Sequence, residues 1–190
     1  MEKLVDHFSA GVIFANNPKD GKWYVLGASV ISRLKKGGKS FEEILKMTDV
    51  ERLKMIDGVK IPGGTNHECQ WESPLDTLIR ESKEENLLDV SKATLVYSKD
   101  VQGRIPGNVH TKNFYLVEKF EGKFPIDFIH KFSDDEDVVL VKWWGLEEFE
   151  KSLFSQHHKD GFRKAFLKMT EKCEQFGKDN AKMFARYKVV

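Results

Sequence analysis

Residues 63 to 88 read GGTNHECQWESPLDTLIRESKEENLL, a glycine-led loop running into a helix that carries its acids on one side. Pro62-Gly63-Gly64 breaks a short strand candidate at Gly58 to Ile61 and opens a loop that continues through Gln70. Ser73 is a good N-cap, Pro74 suits the first helical position, and Asp76 completes a capping box whose charge also favours the positive helix end. These signals predict a helix over 74 to 86. At about 100° per residue, Glu81, Glu84 and Glu85 fall within one arc of about 100°, beside a neighbouring arc of Leu75, Leu78, Ile79 and Ser82. Three carboxylates on one face repel and raise one another's pKa unless a cation compensates, so a hard divalent ion with oxygen ligands, Mg²⁺ first, suits the arrangement. The run RESKEE also reads as a solvated, salt-bridged helix surface. The Gly-Gly entrance favours a site over a plain surface, because it lets backbone come close to a phosphate or metal ligand.

Outward from this core, strands recur on both sides of the helix. Upstream, His7 to Phe14 and Trp23 to Ile31 are apolar, β-rich runs joined by NNPKDGK, which reads as a hairpin. Capping boxes at Ser40 with Glu43 and Thr48 with Glu51 predict two small helices, roughly 41–47 and 49–56. Downstream, Ala93 to Ser98, Asn113 to Lys119 and the run VVLVKWW after an acidic DDED cluster read as strands. The tail, about 158 to 184, places Phe162, Phe166, Met169, Cys173 and Phe176 at helical spacing. That stripe reads as core first and as a homodimer interface second.

Composition narrows the class. With 40% apolar residues, 14 Phe and 4 Trp, the 190-residue chain can build a core and fold as one domain. Lys+Arg at 31 against Asp+Glu at 30 gives no global charge for binding nucleic acid or a membrane surface, so any polyanion site must be local. Two cysteines do not make a disulfide scaffold, and the start MEKLVDHFSAGVIFANN lacks the apolar stretch of a signal peptide. No apolar run approaches the ~20 residues of a membrane span, which leaves a cytoplasmic protein as the expectation.

The loop and helix resemble the signature of the Nudix hydrolase family, in which a glycine, a glutamate and an Arg-Glu-x-x-Glu-Glu run stand at fixed spacing on a loop-helix-loop. Glu72 precedes Arg80 by seven intervening residues (SPLDTLI), and Arg80-Glu81-Ser82-Lys83-Glu84-Glu85 reproduces the acidic run without a gap. Three positions depart from the pattern. Seven residues (TNHECQW) separate Gly64 from Glu72 where the family usually has five, Ser82 replaces an aliphatic residue, and Leu87 stands where a glycine normally ends the helix, leaving Asn86 to take a left-handed cap. The likeness extends to GVIFANN and WYVLGAS as an opening hairpin and to VVLVKWWGLEEFE as a closing strand and helix, covering most of 8–152. It implies an α/β (α+β) fold, a mixed β-sheet sandwiched between helices. Residues 1–190 would form a single domain with a helical insertion at about 34–57 and a C-terminal helical extension at about 155–190.

By that resemblance Glu81, Glu84 and Glu85, with Gly64, hold Mg²⁺ (Mn²⁺ as a substitute), and one of the glutamates helps to deprotonate the attacking water. Glu72 and Arg80 pair to fix the loop on the helix. A later acid, Glu136 first and Asp137 second, joins the catalytic set unless the DDED run is simply a solvated turn. Basic candidates for the phosphates are Arg33, Lys35, Lys36, Arg104, His110 and Lys112, each also an ordinary surface residue, while Trp71 and Tyr97 either stack on a base or belong to the core. His157-His158 is no metal pair, since adjacent helical residues point apart, and Cys69 lacks a partner at zinc-like spacing. The function implied is Mg²⁺-dependent cleavage of a phosphoanhydride bond in a nucleoside diphosphate linked to another moiety: a nucleotide sugar, dinucleoside polyphosphate, nucleoside triphosphate or RNA 5′ end. The alternative is a non-catalytic Nudix-fold module that senses a nucleotide or contacts a protein.

Overall fold

The computed structural model describes residues 6–31, 37–56, 58–66, 71–86, 88–102, 109–122, 129–130 and 138–188. Two sheets carry the helices. In the first, β1 (Asp6–Val12) lies between β5 (Gly63–Thr65), to which it is antiparallel, and β7 (Val109–Gly122), to which it is parallel; β6 (Leu88–Gln102) pairs antiparallel with β7 and ends the sheet. In the second, the order is β2 (Phe14–Asn16), β3 (Trp23–Val30), β9 (Val138–Gly145) and β8 (Ile129–His130), with β4 (Gly58–Lys60) also on β3.

The expected hairpin is therefore split. Only Phe14–Asn16 pairs with β3; the chain crosses between sheets at Ile13, whose carbonyl accepts the Leu26 N–H at 3.0 Å. The reason lies in β1 itself. From Ser9 to Val12 it is buried on both faces, as befits an interior strand with neighbours on either side and not one arm of a hairpin.

The helices follow their caps. The α1 helix (Phe41–Leu45) starts at a closed capping box, with Ser40 N–H donating to Glu43 at 2.7 Å and Glu43 N–H donating back at 3.3 Å; α2 (Asp49–Met55) repeats it with Thr48 and Glu51. Here Ile44 and Ile31 form a small satellite core with Met47 and Met55. The α3 helix (Pro74–Asn86) begins where Asp76 N–H donates to the Ser73 hydroxyl at 3.2 Å. After β9 come α4 (Leu146–Ser152), α5 (Gln156–Lys172), α6 (Glu174–Asp179) and α7 (Ala181–Lys188).

Strand alternation assigns the faces. Tyr115 and Val117 of β7 pack with Leu78 of α3, Leu88 and Val90, in a core that also takes Leu26, Val141 and Trp143 from the second sheet. Phe114 and Leu116 point the other way and meet Phe162, Ala165 and Phe166 of α5. So α3 and α5 cover opposite faces of the first sheet. The tail bends at Cys173 (φ −135°), which ends α5 and lets Phe176 fold back until its ring lies 5.0 Å from both Phe166 and Trp23. The indole N–H of Trp23 then donates to Asp179 at 3.0 Å. The tail's aromatic stripe is thus interior to this chain: Phe162, Phe166 and Phe176 are fully buried. Among the described residues no helix is long and apolar enough to cross a membrane.

If the tail is part of the main core, Phe166→Ala destabilises the whole chain by about 3–5 kcal/mol, the usual cost of emptying a buried phenylalanine site. Urea unfolding measures this; a loss below about 1 kcal/mol would show the tail to be an appendage.

Candidate functional site

The site begins with two glycines whose lack of a side chain is required. Gly63 has φ 152°, and a Cβ there would overlap the Ser9 carbonyl and Ala10 across the β1–β5 ladder. At Gly64 a Cβ would overlap the Glu81 carboxylate, so that carboxylate rests directly on strand backbone. The Glu81 side chain is only 12% exposed. Burial raises its pKa, the charge and hydrogen bond of Arg80 oppose this, and neighbouring Glu84 adds to the rise.

Arg80 is the hub. Its Nε donates to Glu72 Oε1 at 2.9 Å and Oε2 at 3.2 Å, its Nη1 to Glu81 Oε1 at 2.8 Å and Glu84 Oε2 at 3.0 Å, and its Nη2 to the Thr65 carbonyl at 3.0 Å. Burial works against the guanidinium charge, yet the Glu72 hydrogen bond and the Glu81 charge hold its pKa above the usual arginine value. Behind Glu72, the Thr77 hydroxyl donates to Oε2 at 3.0 Å and lies 3.0 Å from His7 Nε2. With the Thr77 proton on Glu72, His7 must donate from Nε2, which assigns its tautomer. Asn66 closes the chain of contacts by pairing with the His7 backbone at 3.0 and 3.2 Å.

Of the residues singled out by sequence, Gly64, Glu72, Arg80, Glu81 and Glu84 come together here. Glu85 lies in the last turn of α3, with its side chain outside the described set. Among the described residues no three His, Cys, Asp or Glu side chains gather closely enough to hold a metal. Arg33, Lys35, Lys36, Cys69, Arg104, Glu136 and Asp137 lie outside the described residues. Trp71, just before α3, is 83% exposed. Tyr97 and Lys112 stand on the α5 face of the first sheet, away from Glu81: the Tyr97 ring is 5.8 Å from Phe114, and Lys112 Nζ is 5.9 Å from the Phe8 ring centre. His110 is on β7 opposite Asp6. The two adjacent histidines diverge. His158 is buried, accepts the Ile61 N–H at Nδ1 (3.0 Å) and is pushed by burial down to about 3, so it stays a neutral peg; His157 is half-buried. Sequence reasoning missed His7, Asn66 and Thr77, because only the β1–β5 pairing brings the first two to the loop.

No family model matches the sequence, and no curated protein does. Solved structures match in fold. The Nudix domain of Shewanella oneidensis NrtR, solved with ADP ribose, aligns with TM-score 0.55 at 14% identity over 90% of this chain and 91% of that one. A MutT Nudix hydrolase from Burkholderia pseudomallei gives 0.52 at 16% over 83% and 95%, and a C. elegans Ap4A hydrolase gives 0.51 at 14% over 89% and 100%. The chain has the Nudix fold, here built as two sheets where one was expected: a mixed first sheet between α3 and α5, and an antiparallel second sheet.

Glu81 makes the site testable by pH. A carboxyl whose folded pKa exceeds its unfolded value favours the fold when protonated; that contribution is full below the ordinary glutamate range and is lost as pH rises through the raised value. In metal-free buffer Glu81→Gln should therefore melt higher than the wild type at pH 7, with the gap closing towards pH 4. A lower melting temperature for the variant at pH 7 would contradict the burial argument.

Proposed function

We propose that this Nudix-fold chain is a Mg²⁺-dependent hydrolase that cleaves a phosphoanhydride bond in a nucleoside diphosphate linked to another moiety. One observation carries the reading: the Glu81 carboxylate is largely buried against the Gly64 backbone, with Glu84 one turn further along and Glu85 beside it on α3. A buried carboxylate is costly unless a cation balances it. Arg80 does so in part, and the pKa of Glu81 is still raised. Glutamate and backbone carbonyl oxygens suit a hard divalent ion, so Glu81, Glu84, Glu85 and Gly64 are the residues that would hold it. Such an ion, when bound, neutralises phosphate charge, orients the anhydride and makes a water more acidic.

The chain's own groups supply the rest. Arg80 keeps its charge at any working pH, so its hold on Glu72 and Thr65 keeps loop, strand and helix in register while phosphate charge changes nearby. Glu72, fixed from behind by Thr77, has its oxygens committed to that bracing role. In this reading a helix acid not engaged by the cation accepts the proton of the attacking water. Glu136 as first choice, or Asp137 as second, is the further acid of this reading. ADP ribose, the ligand in the NrtR structure, and Ap4A, named for the C. elegans enzyme, both contain the bond in question. The free thiol at Cys173 suits a reducing, cytoplasmic setting.

A second reading, a nucleotide-sensing module without turnover, is favoured by Arg80 Nη1 bridging Glu81 and Glu84, which gives both acids a partner other than an ion. NrtR, also solved with a 27mer DNA, has the same fold.

A panel of nucleotide sugars, dinucleoside polyphosphates, triphosphates and capped RNA, run with Mg²⁺ and read by product mass, separates the two. Hydrolysis by the wild type, with Glu84→Gln and Glu85→Gln each lowering kcat by about 10²- to 10⁴-fold in a folded protein, supports the enzyme. Turnover equal to wild type in both variants overturns the role of these acids, and nucleotide binding with no turnover selects the sensor. Mg²⁺ should also raise the wild-type melting temperature, because an ion bound only by the folded state stabilises it.

A further inference from the structure

On the α5 face of the first sheet, β6 and β7 set two lysines against each other. Lys99 and Lys112 are direct partners in the antiparallel ladder, and Phe8 of β1 is the neighbour of Lys112 on its other side. Like charges directly opposite on a ladder destabilise it. Lys112 is also half-buried, and that burial lowers its pKa, with no acid acting against the shift. Among the described residues neither ammonium has a carboxylate within ion-pair distance.

His157, in the first turn of α5, faces the same pair. Burial lowers its pKa first, the charges of Lys112 and Lys99 lower it further, and its Nδ1 is buried without a hydrogen-bond partner. The acid that faces it, Asp160, is occupied by the Gln156 side-chain amide at 2.8 Å and lies 3.5 Å from the Tyr97 hydroxyl. Two opposed ammonium groups thus stand beside the Phe8 ring with half-buried His157 in their field, and an anion bound between them would relieve the repulsion across the ladder and the suppression of the imidazole charge. Lys60 of β4, whose Nζ donates to the Gly63 carbonyl at 3.4 Å, lies within electrostatic reach of both Glu81 and His158.

We propose that Lys99, Lys112 and His157 form a phosphate-binding subsite, on the opposite face of the first sheet from Glu81, that takes a phosphate group of the nucleotide ligand distant from the bond to be cut. The affinity for phosphate follows from the lysine pair alone; the assignment of that phosphate to a substrate rests on the proposed hydrolase. The subsite favours ligands with extended phosphate bridges over those with a single phosphate.

Inorganic pyrophosphate in metal-free buffer is the probe, followed by amide chemical shifts and by melting temperature. Pyrophosphate should shift residues around Lys99, Lys112 and His157 and stabilise the wild type, and Lys112→Gln should weaken binding about tenfold or more, since charge-assisted contacts are strong. Without pyrophosphate the same variant should melt at or above the wild type, because the repulsion across the ladder is gone. Lys99→Gln provides an independent arm with the same expected directions. Unchanged affinity in both variants, or shifts confined to Arg80 and Lys60, overturns the subsite. Binding that persists in a protein that hydrolyses nothing leaves the subsite standing and removes the hydrolase; hydrolysis whose KM is unchanged in Lys112→Gln, with unchanged pyrophosphate affinity, does the reverse.

Discussion

Arg80 binds three parts of the chain at a single planar group. Its fork spans Glu72 at the end of the loop, Thr65 on the edge strand, and the acids of the helix that follows. A lysine could not reach these acceptors with the same rigidity, because its three donors radiate from one point on a flexible stem. Removing the fork would strip the part-buried Glu72 and Glu81 carboxylates of the guanidinium that meets them, and a broken buried pair costs far more than an intact one contributes. The position of Gly64 against Glu81, and with it the whole candidate centre, depends on this one side chain.

The rest of the fold supplies stiffness behind that point. One face of the first sheet belongs to α3 and the other to the aromatic tail, so β7, which carries Lys112, is packed from both sides, and so is the sheet to which the Gly64 strand pairs. His158 adds a specific tie, hydrogen-bonding Ile61 just before the Pro62-Gly63 turn while its ring packs edge-on against Phe8 and Phe114. The C-terminal helices are therefore structural partners of the loop that builds the site.

Much of this was legible in advance where the information is local. The helix at about 74–86 was legible, because Ser73, Pro74 and Asp76 mark its start and the acids follow at helical spacing. The small helices were legible from their capping boxes for the same reason. What escaped depends on which strand lies beside which. The crossing at Ile13 looks like an ordinary point in an apolar run, and the Lys99–Lys112 opposition exists only once β6 and β7 are in register. The approach of His7 to Thr77 spans 70 positions, and no periodicity encodes it. Tyr97 reads as core first and as a stacking platform second; its place beside Phe114 follows from that same register.

The crossing has a further consequence for how this chain can vary. Only Ile13 separates a strand committed to the first sheet from one committed to the second. Side chains alternate with period two, so adding or deleting one residue between Ser9 and Phe14 would turn inward groups outward in one sheet or the other. No nearby loop can absorb such a slip. Length changes at the N-terminal side of this protein should therefore be tolerated at the 17–22 turn and nowhere between the two strands it follows, which makes that short run a natural ruler for aligning distant relatives.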